Sequence, residues 1–181
     1  MVAVALAAAF VAWLVFGRSD SETSTQTFGV TTPAGNAPAP TVATPAIATP
    51  SQLRADAAGG AVPIYWVGAR TRAKIELTRA PGGTVFVRYL PPQARAGDTR
   101  AFLTIATYPR ANAFVEVQRA ARSSKSKTLA VAGGGVAVYD TGRRTNVHIA
   151  YPGQPYQIEI FAPQPGAAVQ LVESGAVRPV S

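Results

Sequence analysis

Cysteine is absent from this 181-residue chain. Its absence excludes disulfide bonds, zinc–thiolate and iron–sulfur sites, thiol nucleophiles and a lipid-modified cysteine anchor. Histidine occurs once, as His148, so a transition-metal site built on imidazole is also disfavoured. We therefore expect no metal and no cofactor, and any membrane attachment must come from the polypeptide itself.

Acidic residues are scarce, with 9 Asp and Glu against 17 Lys and Arg, so the formal net charge is +8. The imbalance lies in residues 62–181, which hold 15 basic and 6 acidic residues. A basic domain favours anionic surfaces such as lipid headgroups, wall polymers or nucleic acid. The alternative is that arginine reflects genome composition and the charge only keeps the domain soluble.

Charge is missing altogether from residues 1–17, an apolar run that includes Trp13 and Phe16. As a helix it would be about 25 Å long, slightly short of a hydrocarbon core of about 30 Å. We expect a single-pass membrane anchor, with a cleaved signal peptide and a buried soluble helix as alternatives. Because Arg18 argues against export, the expectation that the C-terminal domain lies outside rests on the segment that follows.

Large apolar residues are nearly absent from residues 18–61, which are rich in threonine, alanine and glycine and contain five prolines. Such a segment cannot bury enough apolar surface to offset the entropy lost on ordering. Its composition is typical of stalks that hold a domain away from a membrane. We expect a disordered tether over residues 18–61.

Strand and helix patterns begin at residue 62. Apolar alternation and turn residues predict strands over residues 62–68, 74–79, 84–90, 101–108, 128–132, 136–139, 145–151 and 156–161. Helical spacing predicts helices over 112–123 and 165–174, with Asn112 as N-cap and Gly175 after the second helix. The order predicts an α+β domain, a mainly antiparallel sheet with about two helices packed on one face.

Three local features add to this interpretation. Pro81, Gly82 and Gly83 fit a type II turn between two strands. The run of glycines at 133–135 lacks the Gly-Lys-Ser/Thr ending of a phosphate loop, so we expect a hairpin turn. Tyr65 and Trp66 are adjacent on a predicted strand, so one should be buried and the other exposed.

The segments PIYWVG, IELTR, VFVRYLPP and LTIATYP occur in this order between Pro63 and Pro109. With them, residues 63–180 resemble a group of exported or membrane-anchored proteins of high-GC Gram-positive bacteria. The resemblance implies an extracytoplasmic bacterial location, and it carries no activity with it.

No catalytic constellation emerges from the domain. His148 lies in an alternating run and is expected on a sheet face rather than in a relay with a serine. Glu76 and Glu159 lie on predicted strands and could form a glycosidase pair, but strand glutamates more often pair with arginine on a solvent face. We therefore assign no catalytic residue.

The candidate anion-binding residues form two basic groups. The first lies at the end of the first predicted helix and just beyond it, and the second lies in a predicted turn: Arg119, Arg122, Lys125 and Lys127, then Arg143 and Arg144. If the two groups converge, they form an anion-binding patch; if they diverge, they are ordinary solvated charges.

These features favour a membrane-tethered, extracytoplasmic, non-enzymatic module that binds an anionic lipid, a wall polymer or a partner protein. The alternatives are a wall-polymer hydrolase that uses carboxylates and a domain secreted after signal cleavage. A nucleic-acid partner is disfavoured, because no DNA- or RNA-binding signature accompanies the charge.

Overall fold

The structure is a computed structural model and describes residues 43–181. The strands are β1 (Ala46–Ala48), β2 (Tyr65–Trp66), β3 (Lys74–Arg79), β4 (Val85–Leu90), β5 (Thr104–Pro109), β6 (Ser126–Val131), β7 (Gly135–Asp140), β8 (Arg143–Ala150), β9 (Tyr156–Phe161) and β10 (Arg178–Pro179). The helices are α1 (Pro50–Ala58), α2 (Ala113–Ala121) and α3 (Ala167–Glu173). The predicted anchor over residues 1–17 lies outside the described residues. Within residues 43–181, no helix has the length and apolar character needed to cross a membrane.

Eight strands form one antiparallel sheet in the order β1-β3-β4-β5-β9-β8-β7-β6. Strands β3, β4 and β5 run as a meander from one edge toward the centre. The chain then crosses through α2 to the far edge, where β6 to β9 form a second meander that returns to β5. The two short strands β2 and β10 pair separately. The predicted α+β class with a mainly antiparallel sheet is confirmed.

Helices cover both faces of this sheet, so the expectation that they share one face was wrong. On β7, Ala137 and Tyr139 belong to the main core with α1 and α3, whereas Val138 packs with Ala113 and Val117 of α2. Successive side chains of a strand point to opposite faces, so a strand that is apolar on both sides needs cover on both. We call the two sides the α3 face and the α2 face.

The two predicted hairpin turns are confirmed and resemble each other. Between β3 and β4, Gly82 has φ 80° and ψ 6°, and the backbone N–H of Gly83 donates to the Ala80 carbonyl at 3.2 Å. These values define a type II turn with Pro81 at its second position. Between β6 and β7, Gly133 has φ 78° and ψ 17°. Glycine is favoured at both positions because a positive φ costs a side-chain-bearing residue free energy.

The predicted tether extends too far along the chain. Residues 46–48 form β1, which pairs with β3, and residues 50–58 form α1, whose Leu53 is fully buried. Thr49 and Gln52 make a capping box, and Pro50 occupies the first turn of the helix, where its missing N–H costs nothing. These local signals outweigh the tether-like composition. The remainder of the predicted tether, up to residue 42, lies outside the described residues.

Smaller differences concern the ends of elements. Of the strand predicted over residues 62–68, only the two residues of β2 form a strand. Tyr65 and Trp66 are both buried, at 6% and 5% exposed, whereas one of them was expected to be exposed. Helix α1 supplies the unexpected cover, since the Arg54 guanidinium lies 5.8 Å from the Trp66 ring. Asn112 precedes α2 but makes no capping hydrogen bond with its side chain.

Helix α3 ends as predicted. Gly175 has φ 67° and donates its N–H to the Val172 carbonyl, while Ala176 donates to the Leu171 carbonyl. These two bonds form a Schellman motif, in which the positive φ at Gly175 turns the chain out of the helix.

Candidate functional site

The chain segments that carry the two predicted basic groups meet at one corner of the sheet. Helix α2 leads directly into β6, whose start lies beside the turn between β7 and β8. The Thr141 backbone N–H and side-chain hydroxyl both donate to the Lys125 carbonyl, at 2.8 and 3.0 Å. We define the basic corner by its six residues, all exposed: Arg119, Arg122, Lys125, Lys127, Arg143 and Arg144.

Negative charge at the basic corner is sparse. Asp140 is the one acidic residue within residues 119–145, and its Oδ1 accepts the Gly142 backbone N–H at 2.7 Å. Arg144 lies over the ring of Tyr139, with its guanidinium carbon 6.0 Å from the ring centroid. The corner therefore presents an excess of positive charge to solvent. Such a charge attracts anions, and dissolved salt screens that attraction.

A polar cluster lies on the α2 face, in the strands next to the sheet centre. Glu159 is 9% exposed and accepts from the Tyr108 hydroxyl at 2.9 Å and from the Asn146 side-chain amide at 2.6 Å. Asn146 in turn accepts the Thr145 hydroxyl at 2.8 Å. Burying a carboxylate is costly without such donors, so these bonds are needed to keep Glu159 inside the fold.

His148 belongs to the same cluster and has an unusual bonding state. The Gln157 Nε2 lies 2.9 Å from His148 Nδ1, and because an amide nitrogen only donates, Nδ1 accepts and Nε2 carries the proton. That Nε2 is shielded from solvent and has no hydrogen-bond partner within residues 43–181. Burial lowers the pKa of His148, the nearby Glu159 carboxylate opposes this effect, and Arg110 adds to it.

Burial of the Tyr108 side chain, together with the adjacent negative charge of Glu159, raises the pKa of its hydroxyl far above the ordinary value. The hydroxyl therefore stays protonated and remains a donor to Glu159. Above the cluster, Arg110 forms an ion pair with Glu116 of α2, which links the helix to the strand that precedes it. This ion pair ties α2 to the end of β5, close enough to His148 for Arg110 to affect its pKa.

The two candidate catalytic carboxylates are not brought together. Strands β4 and β5 separate Glu76 on β3 from Glu159 on β9, which is three strand spacings or about 14 Å. Glu76 is fully buried, where it accepts from Arg88 at 2.7 Å and from the Gly97 backbone N–H at 2.6 Å. Pairing with arginine was predicted for such a glutamate, but on a solvent face rather than inside the protein.

His148 lies on a sheet face, as predicted, but its polar neighbours were missed. Tyr108, Asn146 and Gln157 had no assigned role because polar residues at every second position of a strand usually face solvent. The available signal was that Asn146 and His148 alternate on one strand while Gln157 and Glu159 alternate on the next. Within the described part of the chain, no group of three or more His, Asp or Glu side chains could hold a metal ion.

Comparisons with protein-family models, curated proteins and solved structures found no match to this chain. The resemblance to exported proteins of high-GC Gram-positive bacteria accordingly stays a hypothesis.

Proposed function

We propose that this chain is a membrane-tethered, extracytoplasmic, non-enzymatic module that binds an anionic envelope component through the basic corner. The observation that carries the proposal is the convergence of two basic segments, tied together by the hydrogen bonds from Thr141 to Lys125. Lys125 of the first group and the turn that carries Arg143 and Arg144 thereby lie next to each other, and all three side chains are exposed. The apolar run at residues 1–17 supports the tethered part of the proposal.

Binding is favoured over hydrolysis by the state of the carboxylates. Glu76 is held by Arg88 and Gly97, and Glu159 by Tyr108 and Asn146. A glycosidase pair needs its two carboxyl groups about 5–10 Å apart across an open cleft. Glu76 and Glu159 are farther apart than that and both are buried, so the hydrolase alternative has no matching geometry in this pair.

The test uses the full-length chain held in nanodiscs of neutral phosphatidylcholine, so that its apolar segment is accommodated before any ligand is added. Binding is then measured to phosphatidylglycerol vesicles and to isolated wall fragments, with phosphatidylcholine vesicles as the neutral control. We expect retention on one anionic surface that falls steeply as salt rises from about 0.02 to about 0.5 M.

A charge-matched pair of triple variants locates the binding surface. The test variant carries Arg122→Glu, Lys125→Glu and Lys127→Glu, and the control carries Arg70→Glu, Arg72→Glu and Arg95→Glu. All six residues are exposed, and both variants change the net charge by the same amount. The control residues lie next to β3, five strand spacings or about 24 Å from β7.

We expect at least a tenfold loss of binding for the test variant and less than a threefold loss for the control. Equal losses would show that only net charge matters and would remove the basic corner from the proposal. Retention of both variants on neutral vesicles, with no salt dependence, would overturn anionic binding itself.

A further inference from the structure

Within the part of the chain that the structure describes, the outer edge of β6 is an unpaired strand edge beside the basic corner. Strand β6 ends the eight-stranded sheet, and among residues 43–181 it pairs only with β7. It spans six residues, whereas β1 at the opposite edge spans three. An open strand edge presents a row of backbone N–H and C=O groups that can pair with another chain.

The direction of these backbone groups follows from one hydrogen bond. The Lys125 carbonyl accepts from Thr141, so the backbone of Lys125 faces the side of β7. In an antiparallel strand, the N–H and C=O groups of alternate residues face alternate sides. The backbone of Lys127 and Leu129 therefore bonds to β7, and that of Thr128 and Ala130 points outward.

The side chains along this edge set the chemistry of a partner. Lys127, Thr128 and Ala130 are exposed, while Leu129 and Val131 are partly buried against the main core. A strand added beside β6 would meet apolar surface near Leu129 and Val131 and positive charge near Lys127. Segments that combine apolar and acidic residues match both.

We propose that β6 and the basic corner bind an acidic, extended segment of another polypeptide, which adds to the sheet as a further strand. This proposal rests on the proposed function and names its partner class. Outward N–H and C=O groups of Thr128 and Ala130 supply backbone bonds, and the basic corner supplies charge complementarity. A second copy of this domain is disfavoured as the occupant, because residues 62–181 are strongly basic and two copies repel each other.

The experiment measures binding of a fluorescent peptide of about seven residues, alternating Glu and Val, to the full-length chain in neutral nanodiscs. Its control is the same peptide N-methylated at every backbone amide nitrogen, which keeps all side chains and charges but removes the backbone donors of both edges. We expect saturable binding of the first peptide and at least tenfold weaker binding of the control.

Two substitutions of Thr128 test whether the outward backbone N–H of β6 contributes to peptide binding. Thr128→Pro removes an outward N–H and places a ring on the open edge, whereas the matched Thr128→Val keeps the backbone N–H. We expect at least a tenfold loss of peptide binding for Thr128→Pro and less than a twofold change for Thr128→Val. Circular dichroism and thermal melting establish that each variant is folded, and the N-methylated peptide tests the same bonds on the unaltered protein.

The outcomes separate this proposal from the proposed function. Equal binding of the two peptides would overturn strand addition and leave a charge-only surface. Binding of anionic vesicles or wall fragments without binding of the peptide would also overturn it, while the proposed function would stand. Binding of neither the peptide nor any anionic surface would overturn both.

Discussion

His148 and Glu159 lie directly opposite each other on β8 and β9, yet their hydrogen bonds go to different partners. His148 Nδ1 lies 2.9 Å from the Gln157 amide nitrogen, and the Glu159 carboxylate accepts from Tyr108 and Asn146. The pair therefore combines a satisfied carboxylate with a partly buried imidazole whose shielded Nε2 has no partner among residues 43–181. This arrangement makes the folded state sensitive to the protonation of His148.

Acid should destabilise the fold through His148. Burial places the folded-state pKa of His148 below its ordinary value of 6.5, so folding favours the neutral ring. The resulting stability is fully present above about pH 6.5 and is lost as the pH falls below it toward the folded-state pKa. Glu159 attracts the charged ring, but desolvation and Arg110 outweigh that attraction, with Glu116 and Tyr108 as the other ionisable groups nearby.

Urea denaturation at about pH 7, 6 and 5 measures this effect, with His148→Gln as the comparison because glutamine does not titrate. We expect the free energy of unfolding of the unaltered chain to fall over this range by more than that of the variant. Parallel pH profiles for the two proteins would show that His148 does not contribute.

Removal of the Tyr108 hydroxyl should weaken the fold more than removal of another tyrosine hydroxyl. Tyr108→Phe deprives the buried Glu159 of a donor, and a buried charged acceptor left short of a donor costs about 1–3 kcal/mol. Tyr151→Phe is the control: Tyr151 is partly buried, and we expect a change within about 0.5 kcal/mol. The measurement is the free energy of unfolding at neutral pH, and equal effects in both variants would refute the special role of the Glu159 acceptor.

The sequence predicted the strands that alternate and the turns that glycine and proline require. The prediction failed where tertiary contacts produce a structure that the local sequence pattern does not indicate. The polar alternation of Asn146, His148, Gln157 and Glu159 indicates a solvent face, and only the path of α2 across the sheet buries it. Likewise, the tether-like composition around Leu53 hides a helix, because one fully buried leucine and a capping box suffice once a sheet is there to receive them.

For the basic corner, too, the sequence predicted one part of the arrangement and missed another. Both basic groups could be read from the sequence, and the hairpin turn predicted at residues 133–135 already places β6 beside β7. That pairing aligns Ser126 with Asp140 and Lys127 with Tyr139. The local pattern predicts this hairpin but not its register, and the approach of Lys125 to Thr141 depends on that register.

Truncation of Leu53 tests whether α1 belongs to the domain. Leu53→Ala removes a fully buried side chain and should lower the free energy of unfolding by about 2–5 kcal/mol. Ile47→Ala in the neighbouring β1 is the control, since Ile47 is 44% exposed and its loss should cost less than about 1 kcal/mol. If Leu53→Ala were no more destabilising than Ile47→Ala, α1 would be peripheral to the fold.

Because the chain contains no cysteine, the proposed location can be tested by thiol labelling without background from native cysteines. Thr99→Cys places one thiol at an exposed position between β4 and β5, whereas Ala94→Cys places one at a position that is 2% exposed. We expect a membrane-impermeant maleimide to label Thr99→Cys in intact bacterial cells, because the proposal puts the domain outside. Ala94→Cys should react only after denaturation, which shows that labelling reports accessibility, and the unaltered chain should not react at all. Labelling of Thr99→Cys only after lysis would place the domain inside the cell, and the anionic partner of the basic corner would then have to be sought there.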